Sequence, residues 1–232
     1  MTSQQKNTPR VTPETNTPGY WQNDIEQMRR WLSHSPDTES VAHFVPGEGI
    51  QKLQIKFDID KLRQALLIAL TKIDFQGQIE NGFGAFSLTR RPGVVKETTN
   101  DLSGLFWTRV DDTYQEVQRE ETVDEHAFTE FVPLFADTYF KQVHEQLASL
   151  FAIGRMRVLS KGLYNCNSWH RDPEPRLHIP IISNPGSLFA VNNHITHLPA
   201  DGSVYFTDTR GYHTALNGGE THRTHIVAAL PC

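Results

Sequence analysis

From Met156 onward the chain reads as one short apolar run after another, and that succession limits the folds open to it more than any other feature. Arg157-Val158-Leu159, Leu177 to Ile182, Leu188 to Val191, Val204-Tyr205-Phe206, Tyr212 to Leu216 and His222 to Leu230 are each of strand length, separated by Gly, Pro and Asn. Strands this short, with turns at about 8–12-residue spacing, build a sandwich or a barrel. A jelly roll solves its edge problem by pairing two such sheets. Along Arg176-Leu177-His178-Ile179-Pro180-Ile181, alternation places Arg176 and His178 on one face and Leu177, Ile179 and Ile181 on the other. A strand of that kind divides a polar cavity from packed helix.

The first part of the chain reads differently. Residues 1–18 carry Thr, Gln, Asn, Pro9, Pro13 and Pro18 with almost no large apolar group, the composition of a disordered tail. Trp21, Ile25, Met28 and Leu32 recur at helical spacing, with Asn23 or Asp24 able to cap. Leu53 to Phe57 alternates like a strand, and Asp58 or Asp60 is placed to cap a helix carrying Leu62, Leu66, Ala69, Leu70 and Ile73. Gly84 to Thr89 and Phe106 to Val110 read as strands around a Pro92-Gly93 turn, and Phe135, Tyr139, Val143, Leu147 and Leu150 mark a long amphipathic helix. The acidic run from Asp111 to Glu125, against the single Arg119, reads as a solvated face or loop, with a mobile lid as the functional alternative. The expected organisation is a single domain over 19–232, with helical and strand additions in 19–154 and a motif-bearing core in 155–232. No internal repeat is present.

Composition removes several classes of function. At 232 residues, with 38% hydrophobic content and a mean hydropathy of -0.48, the chain has the make-up of one globular domain. It lacks an apolar run of about 18 residues, and Met1-Thr2-Ser3-Gln4-Gln5-Lys6 is too polar for a signal peptide. Cys166 and Cys232 stand in no Cys-x-x-Cys pair, so they read as free thiols rather than zinc ligands, and cysteine this scarce fits a cytoplasmic location. A net charge of -5 argues against a nucleic-acid partner, and no membrane partner is expected. Oligomeric state is left open.

The chemistry is concentrated in Trp169-His170-Arg171-Asp172, Gly211-Tyr212-His213 and Arg223. Two imidazoles and one carboxylate form the facial ligand set of non-heme Fe(II) oxygenases and leave open positions on an octahedral iron. On extended backbone His170 and Asp172 project from the same side, so one segment supplies two ligands and His213 supplies the third. Arg223, one strand further on, offers a bidentate fork to a carboxylate whose other end chelates the metal.

From about Arg155 to Pro231 the chain resembles the aspartyl/asparaginyl β-hydroxylase family of 2-oxoglutarate-dependent Fe(II) dioxygenases. The likeness is carried by His170 and Asp172, by Arg176-Leu177-His178-Ile179-Pro180, by His213 with Asn217, and by Arg223. It does not extend to the first 130 residues. Some members of that family lack the carboxylate ligand, which this chain retains. The resemblance implies a mainly β protein with flanking helices and a double-stranded β-helix core (jelly roll, cupin-like), its metal between the sheets near an open end. Fe(II), 2-oxoglutarate and O2 are the implied cofactors, with Arg223 on the distal carboxylate and Arg176 and His178 assisting near the iron. The implied reaction is hydroxylation of an amino-acid side chain, free or in a peptide, with succinate and CO2 as co-products. Asp172 fills the position a halide would need, which favours hydroxylation over halogenation. The rival classes are a cupin-like metal enzyme that uses no 2-oxoglutarate and a catalytically silent binding module of the same fold. Arg90, Arg91, Trp107 and Arg155 are candidate substrate contacts, while His194, His197, His222 and His225 are expected to be structural or on the surface.

One expectation concerns register. If His213 and Arg223 face a common cavity from paired antiparallel strands, their direct pairing sets Leu216 opposite Glu220 and leaves Asn217-Gly218-Gly219 as the loop, with Gly219 left-handed. A tight Asn217-Gly218 turn would instead swing Arg223 outward. Function predicts the first arrangement.

Overall fold

Asp58 begins the first helix that packs on the sheets: its Oδ1 accepts from the backbone N–H groups of Asp60 (3.0 Å) and Lys61 (3.1 Å). Of the two capping candidates, Asp58 is therefore the one used. The computed structural model describes residues 20–33, 42–73, 82–102, 108–118 and 123–231, so the 1–18 tail, Trp107, Arg119 and Cys232 lie outside the described residues. The chain divides into two compact units, Met1–Asp37 and Thr38–Cys232. The first contains α1 (Tyr20–Ser33), on which Ile25, Met28 and Leu32 are exposed.

In the second unit the elements run β1 (Ile50–Lys56), α2 (Ile59–Lys72), β2 (Phe83–Ser87), β3 (Thr89–Arg90), α3 (Thr99–Leu102), β4 (Thr108–Val110), β5 (Glu116–Gln118), β6 (Glu130–Phe131) and α4 (Tyr139–Ala148). There follow β7 (Met156–Lys161), β8 (Asn165–Cys166), β9 (His170–Arg171), β10 (Arg176–Ile182), β11 (Ser187–Val191), β12 (His194–His197), β13 (Ser203–Thr207), β14 (His213–Asn217) and β15 (Arg223–Ala229). The helix expected from Phe135 to Leu150 is shorter at both ends. Pro133–Phe135 forms a separate 3-10 turn, and Thr138, in extended conformation with its Oγ1 donating to Phe135 O (2.7 Å), interrupts the path.

Two large antiparallel sheets result, in strand orders β1-β13-β10-β15-β7-β2 and β12-β11-β14-β9-β4-β5, with β8 on β14, and β3 and β6 form a separate two-stranded sheet. From β7 on, the strands are dealt out between the two sheets, with only β11 and β12 forming a hairpin within one of them. This is the double-stranded β-helix. The helix-facing side of the first sheet carries Val158, Leu177, Ile179 and Ile226, which form one core with Leu62, Leu66 and Ala69 of α2 and Phe140, Val143 and Leu147 of α4. No described helix is long and apolar enough to cross a membrane.

The expected hairpin between His213 and Arg223 does not form. β14 pairs with β11, β8 and β9, while β15 pairs with β10 and β7, so Leu216 meets Cys166 and Leu188 rather than Glu220. The chain crosses the sandwich after Asn217. The buried Asn217 amide donates to the carbonyls of Gly162 (2.8 Å) and Thr221 (2.9 Å), and its Oδ1 accepts from Asn184 (2.9 Å). Positive φ occurs at Gly49, Gly82, Gly93 and Gly202 but not at Gly219. What Gly219 supplies is room, since a Cβ there would lie 2.0 Å from Asn184 Oδ1.

Candidate metal centre

His170 and His213 are direct cross-strand partners of β9 and β14, and their rings sit 4.2 Å apart between centroids. Asp172 follows β9 on the same side as His170, held by its N–H donating to Thr209 O (2.8 Å), and its Oδ2 lies 3.3 Å from His213 Nε2. One candidate ligand atom from each of the three side chains lies within 4.8 Å of the others, a grouping found once among the described residues. His170 Nδ1 lies 2.7 Å from Ser168 O and His213 Nδ1 lies 3.1 Å from Gly211 O. A carbonyl can only accept, so Nδ1 carries the hydrogen in each ring, and in the neutral form Nε2 is the atom free to bind a metal.

Electrostatics put His170 and Asp172 in the protonation states that metal binding requires. Burial, with His213 beside it, lowers the His170 imidazole to about 4, so it is neutral near pH 7. Burial alone would raise the Asp172 carboxyl, but the Arg176 guanidinium, aided by His213, outweighs it and holds Asp172 well below the usual carboxylate range. Arg176 Nε is 3.0 Å from Asp172 Oδ2, an ion pair without hydrogen-bond alignment, and Nη2 donates to Glu174 (2.8 Å). A neutral His170 imidazole, an ionised Asp172 carboxylate and the His213 ring, gathered on one side of a buried cleft, are the donor types that fit a divalent iron.

The ligands line one cavity with Arg176, His178 and Arg223, the residues expected at the co-substrate. Its wall on the first sheet is Arg176, His178, His225, Arg223, Leu159 and Lys161, and the second sheet adds Phe189, His213 and Ala215. Both ring nitrogens of His178 are buried without a hydrogen-bond partner, and burial pushes its pKa far down. Arg223 is 6% exposed and has no carboxylate within ion-pair distance among the described residues. Its guanidinium lies instead 3.0–3.3 Å from the ring nitrogens of His225, and burial lowers its pKa to about 10.

His225, expected to be structural or exposed, thus belongs to the cavity. Its place two residues from Arg223 on one strand was the available signal. His197 is buried with Nδ1 2.8 Å from Ser187 O, and His194 Nε2 lies 2.7 Å from Val45 O; neither lines the cavity. Nor do the described candidate substrate contacts: Arg90 pairs with Glu130, Arg91 with Asp101, and Arg155 with Glu125 (2.8 Å) inside the protein. Glu125 is accordingly buried at the end of an acidic run otherwise exposed at Asp112, Glu116 and Asp124.

No family model matches the chain, and no curated protein matches it. Among solved structures it is similar to a 2OG-Fe(II) oxygenase family oxidoreductase from Burkholderia pseudomallei, at 14% identity over 82% of this chain and 93% of that one, with a TM-score of 0.44. It is also similar to a viral collagen prolyl hydroxylase from Paramecium Bursaria Chlorella virus-1 in its 2OG complex (13% identity, 79% and 95% covered, TM-score 0.44). A third is AviO1 from Streptomyces viridochromogenes (16% identity, 79% and 92% covered, TM-score 0.44). Likeness this loose leaves the fold to be read from its own sheet order and register.

Proposed function

We propose that this protein is an Fe(II)- and 2-oxoglutarate-dependent oxygenase that hydroxylates an amino-acid side chain, free or within a peptide. The observation that carries the reading is one cavity with the His170-Asp172-His213 cluster on one sheet and Arg223, a buried guanidinium with no carboxylate partner among the described residues, on the other. When bound, Fe(II) with 2-oxoglutarate and O2 supplies the oxidising power to convert a C–H group to C–OH, with succinate and CO2 as co-products. The residues supply placement. Arg223 pairs with the distal carboxylate of the co-substrate, and an unpartnered His178 is satisfied by a ligand in the cavity. Arg176, already engaged with Asp172 and Glu174, fixes the carboxylate ligand in orientation and in charge. Asp172 would hold the metal at a position that a halide would otherwise need, which favours hydroxylation over halogenation.

Succinate formation across a panel of amino acids and peptides, with Fe(II), 2-oxoglutarate and oxygen, tests the reading. In the absence of oxygen, Fe(II) and 2-oxoglutarate together should give the weak visible absorption of a chelated 2-oxo acid, and His213→Ala should abolish it. An unchanged band in that variant removes His213 from the ligand set. Metal binding with no consumption of 2-oxoglutarate on any substrate would favour a cupin-like enzyme of another class.

A further inference from the structure

Lys161 is 5% exposed, lines the same cavity, and is the direct cross-strand partner of Arg223. Paired side chains leave a sheet on one face, so two cations stand side by side against the cavity. Such a pair is unfavourable in two ways: like charges directly opposite repel, and each loses hydration on burial. No described carboxylate lies within ion-pair distance of Lys161. Its ammonium instead donates to Asn165 Oδ1 (2.8 Å) and to Asn167 Oδ1, neutral oxygens that position the group without cancelling its charge. Asn167 itself lines the cavity, and its backbone is tied to β14 by its N–H to Ala215 O (3.1 Å). An ammonium has three donors, and two asparagines occupy two of them. The structure therefore holds a second positive charge beside Arg223 in the cavity wall, with a donor to spare and no counter-ion among the described residues.

We propose that Lys161 is the second cation of one carboxylate-binding site, closing with Arg223 on the distal carboxylate of the 2-oxo diacid while Asn165 and Asn167 hold its ammonium in place. The inference rests on the co-substrate reading given above for Arg223. It makes Lys161 a determinant of diacid over monoacid selection, because a 2-oxo monoacid chelates a metal equally well but presents nothing to the cation pair.

Direct binding to the Mn(II)-loaded full chain without oxygen tests this, with 2-oxoglutarate and 2-oxobutyrate as probes. Lys161→Met should weaken 2-oxoglutarate binding about 30-fold, the size of one lost charge-assisted hydrogen bond, and leave 2-oxobutyrate within about twofold. Lys161→Arg should retain most of the preference for the diacid. Asn167→Asp, which keeps the lysine but supplies it with a carboxylate, should lower the preference in the same direction and decides the matter if Lys161→Met does not fold. Wild-type affinity for the diacid should fall as pH rises through about 8, where burial, with Arg223 beside it, has lowered the lysine, and Lys161→Arg should remove that dependence. The charged or titratable groups facing Lys161 are Arg223 from β15 and the Cys166 thiol from β8. If Lys161→Met and Asn167→Asp keep the diacid preference while Arg223→Ala loses it, Lys161 has no such role and the co-substrate reading stands. If Arg223→Ala keeps it too, both fall. Equal weakening of both probes by Lys161→Met would mark the lysine as structural and overturn the proposal.

Discussion

β10 presents Leu177, Ile179 and Ile181 to the helix layer, and from the same strand it presents Arg176 and His178 to the cavity. β15 repeats the division with Ile226 and Ala228 against Arg223 and His225, and β7 with Met156 and Val158 against Arg157 and Lys161. Both faces are buried, so exclusion from water does not distinguish them. On one face burial removes apolar surface from solvent and stabilises the fold; on the other it strips hydration from imidazoles, guanidiniums and an ammonium and costs stability. One residue of register separates the part of the sheet that holds the protein together from the part that performs chemistry, and substitutions on adjacent positions should therefore have different signatures.

The largest effect is expected where the polar face depends on internal compensation. Arg176→Met leaves the buried carboxylates of Asp172 and Glu174 without their cation and should cost about 3–5 kcal/mol in denaturant unfolding of the metal-free protein. Added Mn(II) should recover part of the loss by replacing one positive charge. A variant as stable as wild type would show that these pairs contribute nothing.

Ile179→Ala, on the opposite face, should cost about 2–5 kcal/mol by leaving a cavity in a fully buried layer. The folded fraction should still show the anaerobic Fe(II)–2-oxoglutarate band. Loss of the band with stability intact would overturn the division between faces.

Arg223→Ala should retain iron and raise the 2-oxoglutarate requirement about 10- to 100-fold, the range of one charged hydrogen-bond pair. Loss of iron with normal co-substrate dependence would contradict its place on the sheet opposite the ligands.

The smallest effect belongs to His178→Leu. Removing a ring with no hydrogen-bond partner should change stability at pH 7.5 by no more than about 1 kcal/mol, since no bond is broken in the free protein. Burial keeps His178 and His225 neutral in the folded state, whereas the unfolded chain protonates near about 6.5, so their contribution is complete above that pH and declines as pH falls below it. Unfolding at pH 7.5 and 5.5 should show a shallower acid loss in His178→Leu than in wild type.

Local alternation was a sound guide to much of this. The parity of Arg176, His178, Leu177 and Ile179, the spacing of His170 and Asp172, and most strands after Met156 follow from period two alone. Pairings between distant strands are not written locally, and there the reading failed. The jelly roll expected for the 155–232 core already requires consecutive strands to change sheets, yet the Asn217-Gly218-Gly219 signal favours a hairpin. Packing of Gly219 against Asn184 and the bonds of Asn217 to Gly162 and Thr221 decided for the crossing. Lys161 carries no local signal for the same reason, because its partnership with Arg223 exists only once β7 lies beside β15. The Glu125–Arg155 pair was likewise hidden inside an acidic run whose composition reads as solvated.

The crossing after Asn217 has a consequence for chain-length selectivity. His170 and His213 belong to one layer of the sandwich, and Arg223 and Lys161 to the other. On the proposed reading, the span available to a diacid is set by the offset between two sheets that share no hydrogen-bond ladder, so the protein acts as a caliper with one jaw in each layer. A diacid one methylene longer or shorter is then rejected by the distance between the jaws rather than by a wall, and enlarging or trimming side chains that set the spacing of the layers would retune which homologue fits.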